Sequence, residues 1–221
     1  MIDVTDYMNR LTDTLKAALG SRLVYVGLQG SYLRGEANEH SDIDIMVVID
    51  SITVKDLQLY RDAIWQMPHF DHSCGFICGR EDLINWNPLE ICHLLHTTRD
   101  HYGVLKELVP AYTKGDLLNY IKMGLNNLYH GICHSYIHAE NNKNLADLAM
   151  AYKGTFFLLQ NLYYYTHGQF IATKAEFITK LRGKDRAVLS RALELQNGTA
   201  RDFDDSFSLL FTWCKNTLAS L

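Results

Sequence analysis

The 221-residue chain has no CxxC pair, and its five cysteines (Cys74, Cys78, Cys92, Cys133, Cys214) are an odd number. That spacing excludes a dedicated disulfide framework and points to reduced thiols in a cytoplasmic protein. Basic excess is missing too: 21 Lys and Arg stand against 25 Asp and Glu, a formal charge of -4. Such a balance leaves no long cationic surface for a polynucleotide backbone, and disfavours a nucleic-acid partner. No apolar run approaches the roughly 18 residues of a membrane span, and the acidic opening MIDVTDYMNR lacks an apolar leader core, so the expectation is a soluble, unexported protein. There is also no internal repeat and no low-complexity tract.

What remains is a chain with 48% hydrophobic residues, enough for one large core or two small ones. Apolar residues recur at helical spacing through 5–19 and stop at Gly20. LVYVGLQ (23–29), IDIMVVI (43–49) and HSCGFICG (72–79) read as three short strands, with a helix over 53–66 ending ahead of Pro68. After about residue 85 the pattern becomes helical throughout, from LEICHLLHTT to DSFSLLFTWCKNTLASL. The expected class is α+β: a small mixed-sheet domain over 1–111, followed by an all-α bundle over 112–221.

The most informative stretch is LQGSYLRGEANEHSDIDIMVV (28–48). Residues two apart on a strand share a face, so Asp42 and Asp44 project together while Ile43 and Ile45 enter the core. Paired carboxylates repel, and a divalent cation held by few protein oxygens, with water and phosphate completing its shell, resolves the repulsion in the way Mg²⁺ prefers. Just upstream, Gly30 permits close backbone approach, and Ser31 opens a short helical turn whose free N–H groups suit a phosphate, with Arg34 adding positive charge. The bland alternative is a simple turn beside a solvent-facing edge strand.

The segment GSYLRGEANEHSDIDIMVV (30–48) resembles the signature of the polymerase-β-like nucleotidyltransferase superfamily, in the form seen in aminoglycoside nucleotidyltransferases and minimal nucleotidyltransferases. The resemblance implies a Mg²⁺-dependent enzyme that moves a nucleoside monophosphate, AMP from ATP being the first choice among the nucleoside triphosphates, to a hydroxyl of a small molecule. It implies that Gly30, Ser31 and Ser41 sit at the nucleotide, that Asp42 and Asp44 bind the metal, and that the site lies in the cleft between the halves. Most members add a third carboxylate on the following strand. Here HSCGFICG contains none, which leaves Asp71 just before it, or Glu81 and Asp82 just after.

A second resemblance lies in YYYTHGQFIATKAEF (163–177), which looks like the helical-domain pattern of streptomycin and spectinomycin adenylyltransferases. It implies that Lys174 binds the β- and γ-phosphates, with Thr173 capping its helix. Lys153 is a further phosphate candidate, or else a surface lysine. Glu140, Asp147 and Glu176 are possible general bases, with no motif that selects one. His130, His134 and His138 fall on one helical face, and Cys92, His93 and His96 cluster similarly; both sets read as interface or pocket histidines ahead of zinc ligands. The competing functions are a catalytically weak, antitoxin-like nucleotide-binding module, which the missing acid favours, and a protein-modifying adenylyltransferase. The helical half carries no Arg followed four to six residues later by His, which argues against a ribonuclease of the HEPN type. The acceptor and the oligomeric state are not legible in the sequence.

Overall fold

A computed structural model of the chain describes residues 2–141, 143–200 and 202–221. The chain divides into two compact units, Met1–Tyr112 and Thr113–Leu221.

The first unit is built on a four-stranded mixed sheet. Its elements are α1 (Val4–Leu19), β1 (Leu23–Leu28), α2 (Gly30–Arg34), β2 (Ile43–Ile49), α3 (Val54–Ile64), β3 (Ser73–Gly79), α4 (Arg80–Ile84), α5 (Pro88–Thr97) and β4 (Arg99–Tyr102). The spatial order is β3-β2-β1-β4, with β1 antiparallel to β2 and β4, and β2 parallel to β3 through α3. Alternation along β2 divides its side chains between two cores. Ile43, Ile45, Val47 and Ile49 pack with Tyr7, Leu11 and Leu15 of α1 and with Ala63 of α3. Met46 and Val48 pack on the other face with Tyr25, Cys78, Leu83, Leu105 and Leu108. These β2 side chains are 0% exposed, and each full burial contributes roughly 1.5–3 kcal/mol.

Side-chain caps explain where the helices begin. Asp3 accepts from Thr5 N and Asp6 N ahead of α1, and Asp56 accepts from the backbone and hydroxyl of Thr53 ahead of α3. Arg22 then ties the start of β1 to the end of β2 and to α3, donating to Asp50, Asp56 and the Ser51 carbonyl at 2.6–3.0 Å. One feature departs from the sequence expectation. LEICHLLHTT forms the helix α5, and RDHY after it returns to the sheet as β4, a strand that its charged composition hides.

The second unit contains α6 (Lys114–His138), α7 (Leu145–His167), α8 (Lys174–Lys180), α9 (Gly183–Gln196) and α10 (Phe203–Ser220). Helix α7 packs against α6, α9 and α10, and buries Tyr152, Phe156 and Leu159. Polar ties fix the register: Tyr152 Oη donates to the Ser206 carbonyl at 2.7 Å, and Trp213 Nε1 donates to Asp185 at 2.7 Å. Buried Gln160 donates to the Ile171 and Ala172 carbonyls and so holds the segment leading into α8. No helix among the described residues is long and apolar enough to cross a membrane.

Candidate functional site

The site begins where β1 ends. Gly30 follows Gln29 with φ 68°, a left-handed conformation that favours glycine. A Cβ placed on it would overlap the Asp44 carboxylate, so the turn passes directly over that side chain. The Gln29 N–H donates to the Asp44 carbonyl at 2.8 Å and pins the turn to the strand. Asp44 is half-buried, Asp42 is exposed just ahead of β2, and both lie on the face of Met46 and Val48. Across the parallel pairing, Asp44 stands opposite Cys74. The Cys74 thiol is pushed up from its ordinary pKa, first by burial and then by the Asp44 and Asp42 charges.

The other sequence candidates occupy varied places. Ser41 serves the loop before β2, its Oγ accepting from Asn38 N at 2.9 Å. Arg34 ends α2 in an ion pair with Glu36 at 2.9 Å, which moderates the charge it can offer an anion. Asp71 lies in the turn before β3, exposed, with His72 at 3.9 Å; His72 Nδ1 in turn stands 3.2 Å from the Ser41 carbonyl, so this turn lies beside the loop that leads into Asp42. Glu81 and Asp82 follow the far end of β3, where Gly79 pairs with Ile49, and Asp82 is engaged with Gly79 N at 2.8 Å. A strand length separates them from Asp44. Asp100 on β4 is an acid within the sheet, but it accepts from Tyr25 Oη at 2.8 Å and from Leu105 N at 3.2 Å, a structural duty.

Residues 9–73 match the family model of the nucleotidyltransferase domain, a span that contains Gly30, Ser31, Asp42, Asp44 and Asp71 and stops one residue short of Cys74. A solved structure of spectinomycin adenyltransferase AAD(9) from Enterococcus faecialis, with ATP and spectinomycin, is similar at TM-score 0.60 and 15% identity, covering 97% of this chain and 99% of that one. The chain has a polymerase-β-like nucleotidyltransferase fold. Its class is α+β, as in that solved structure. No curated protein sequence matches the chain.

In the helical unit of this nucleotidyltransferase fold, Thr173 caps α8 by accepting from Glu176 N at 3.3 Å. Lys174 is the first residue of that helix, half-buried, with Nζ 3.1 Å from Gln196 Oε1 and 5.7 Å from the centre of the Phe156 ring. Lys153 is exposed on α7. Asp147 accepts from the Asn144 side chain at 2.9 Å, and Glu140 and Glu176 are exposed. His130, His134 and His138 form an exposed row on α6 with ring centres 6.0 and 4.8 Å apart. In the sheet unit, burial holds the His93 imidazole down to about 4, with His96 and Arg34 adding to the effect.

Among the described residues, no group of three or more His, Cys, Asp or Glu is disposed to hold a metal ion alone. The Asp42 and Asp44 pair nevertheless fits a hard divalent ion that brings phosphate oxygens with it: two carboxylates on one face, open to solvent at one end, under a turn that admits only glycine. Cys74 is the site neighbour that sequence reading missed. Its even spacing with Phe76 and Cys78 was visible, but its pairing with Asp44 depends on the register of two strands separated by α3.

Proposed function

We propose that the protein is a nucleotidyltransferase that transfers a nucleoside monophosphate, AMP from ATP in the first instance, to a hydroxyl of a small molecule, with an aminoglycoside-type compound as the reference acceptor. The single observation that carries this reading is the Gly30 turn lying over Asp44, within a span that matches the nucleotidyltransferase domain. The near-full-length fold likeness to a protein solved with ATP and spectinomycin supports a nucleotide and a small acceptor.

In this reading the turn from Gly30 to Ser31 receives the triphosphate through backbone N–H groups, and Asp42 and Asp44 would hold Mg²⁺. Bound there, the ion would neutralise charge on the phosphates and align the acceptor hydroxyl with the leaving pyrophosphate. The protein's own part is positional. Gln29 N and the Gly30 backbone keep Asp44 under the turn, and the buried β2 side chains prevent the carboxylates from retreating when they repel. Lys174 and Lys153 are the cations assigned to the β- and γ-phosphates, and Asp71 is the carboxylate nearest the position of a third acid. Calorimetric titration of each nucleoside triphosphate with Mg²⁺, on wild type and on Asp42→Ala/Asp44→Ala, tests the proposal. Metal-dependent binding by wild type that the double variant loses is the expected result, and pyrophosphate release then screens acceptors. A folded wild type that binds no triphosphate would overturn it.

A second reading, a nucleotide-binding module with weak catalysis, is favoured by one observation: β3 presents a thiol to Asp44 where a carboxylate would be expected. Binding of triphosphate without turnover across an acceptor screen would select it.

A further inference from the structure

The Gly30 turn is held from two sides through the residue that precedes it. Gln29 follows β1 directly and is the N-cap of α2, in extended backbone (φ -127°, ψ -169°), yet its side chain makes no cap hydrogen bond to that helix. Its backbone N–H is spent on the Asp44 carbonyl, which ties the turn to β2. Its side chain goes the other way: Nε2 donates to the Thr98 hydroxyl at 2.7 Å, across a chain separation of 69 residues. Thr98 ends α5 and leads into β4, whose first residue Arg99 pairs with Leu28. Gly27 makes the approach possible, because a Cβ there would meet the Thr98 methyl and the Tyr25 hydroxyl. Gln29 and Thr98 are both half-buried, which strengthens their bond against competition from water. A second tie between the same strands, Tyr25 Oη donating to Asp100 at 2.8 Å, lies on the far side of Gly27 from the turn.

We propose that Gln29 and Thr98 are a positioning pair, a side-chain clamp through which the β4 side of the sheet holds the Gly30 turn over Asp44. What the turn receives rests on the nucleotidyltransferase reading; the clamp itself belongs to the sheet unit alone. A helix of five residues such as α2 has little stability of its own, so its start is fixed by whatever holds Gln29. The backbone bond to Asp44 sets how far the turn stands from β2. The side-chain bond to Thr98 sets the direction in which Gln29, and with it the Gly30 peptide, is turned. Neither side chain touches the substrate in this role, and their effect is on how well a triphosphate is received.

Thr98→Val removes the hydroxyl and keeps the shape, Thr98→Ser keeps the hydroxyl, and Gln29→Met removes the amide. Tyr25→Phe is the control, because it deletes the neighbouring tie between the same two strands. Each full-length variant is titrated with ATP and Mg²⁺ by calorimetry, unfolded in urea, and followed by amide hydrogen exchange over residues 29–35 without nucleotide. Thr98→Val and Gln29→Met should each weaken ATP binding about tenfold, and together no further, since both break the same bond. Thr98→Ser should bind ATP within about twofold of wild type. Tyr25→Phe should lower the urea midpoint while leaving ATP binding and exchange at the turn unchanged. Wild-type ATP binding in Thr98→Val would overturn the clamp, and so would an equal loss of affinity in Tyr25→Phe, which would reduce it to general support of the sheet. The two readings fail separately. If the folded wild type binds no triphosphate, the nucleotide reading falls, and exchange still decides the clamp: faster exchange at the turn in Thr98→Val but not in Tyr25→Phe upholds it, and equal exchange in the two overturns it.

Discussion

At the scale of single residues, Gly30 and Gly35 form a natural experiment. Both have left-handed φ, 68° and 69°, but a Cβ on Gly30 would overlap Asp44 whereas one on Gly35 would meet nothing within 4 Å. Each substitution to alanine should cost about 1–2 kcal/mol from the backbone conformation alone, measurable by urea unfolding. Only Gly30→Ala should also abolish triphosphate binding, because only there does the new methyl displace the carboxylate. Equal loss of binding in both variants would show that the turn acts through its conformation and not through its closeness to Asp44. This pair of effects was partly legible in the sequence: a Gly-Ser turn ahead of two aspartates with one isoleucine between them specifies a shared face, since strand periodicity is local. Cys74 was not legible, because its neighbour Asp44 is set by parallel pairing across a helix, and no local pattern encodes that register.

Among the elements, α5 carries the clearest pH dependence. His93 is held neutral by burial, with its pKa lowered from the ordinary 6.5 to about 4. As pH falls through 6.5 the unfolded chain takes up a proton at this position while the folded chain resists until about 4, so stability is full above that window and declines across it. His93→Leu should therefore show a smaller loss of urea midpoint between pH 7 and pH 5 than wild type, and identical slopes would refute the assignment. His96, lowered by burial as well, keeps part of the dependence in that variant. The elements themselves were readable to differing degrees. β2 emerges at the expected residues because seven consecutive positions are apolar or paired with the site, and α1 because its apolar spacing ends in a glycine cap. β4 escaped because RDHY has neither apolar alternation nor β-branched residues; it is a strand only because β1 offers it a free edge.

For the molecule as a whole, the two units each possess their own buried clusters, Ile43 to Ile49 in one and Phe177, Val188, Leu210 and Trp213 in the other. A chain beginning at Thr113 should then fold independently, with a helical circular dichroism spectrum and a cooperative melt that quenches or shifts the emission of Trp213, the largest of the fully buried side chains. A non-cooperative melt would mean that the bundle needs the sheet unit for its stability. The sheet, for its part, is completed late in synthesis. β1 is almost wholly buried, yet its outer side pairs with Arg99–Tyr102, far downstream of the hairpin it makes with β2. A nascent chain leaving the ribosome thus carries an uncovered apolar strand, LVYVGL, until four largely charged residues arrive to close it. The hazard of newborn chains joining edge to edge is greatest in that interval, and the brevity and charge of β4 leave the finished sheet with a blunt border on that side.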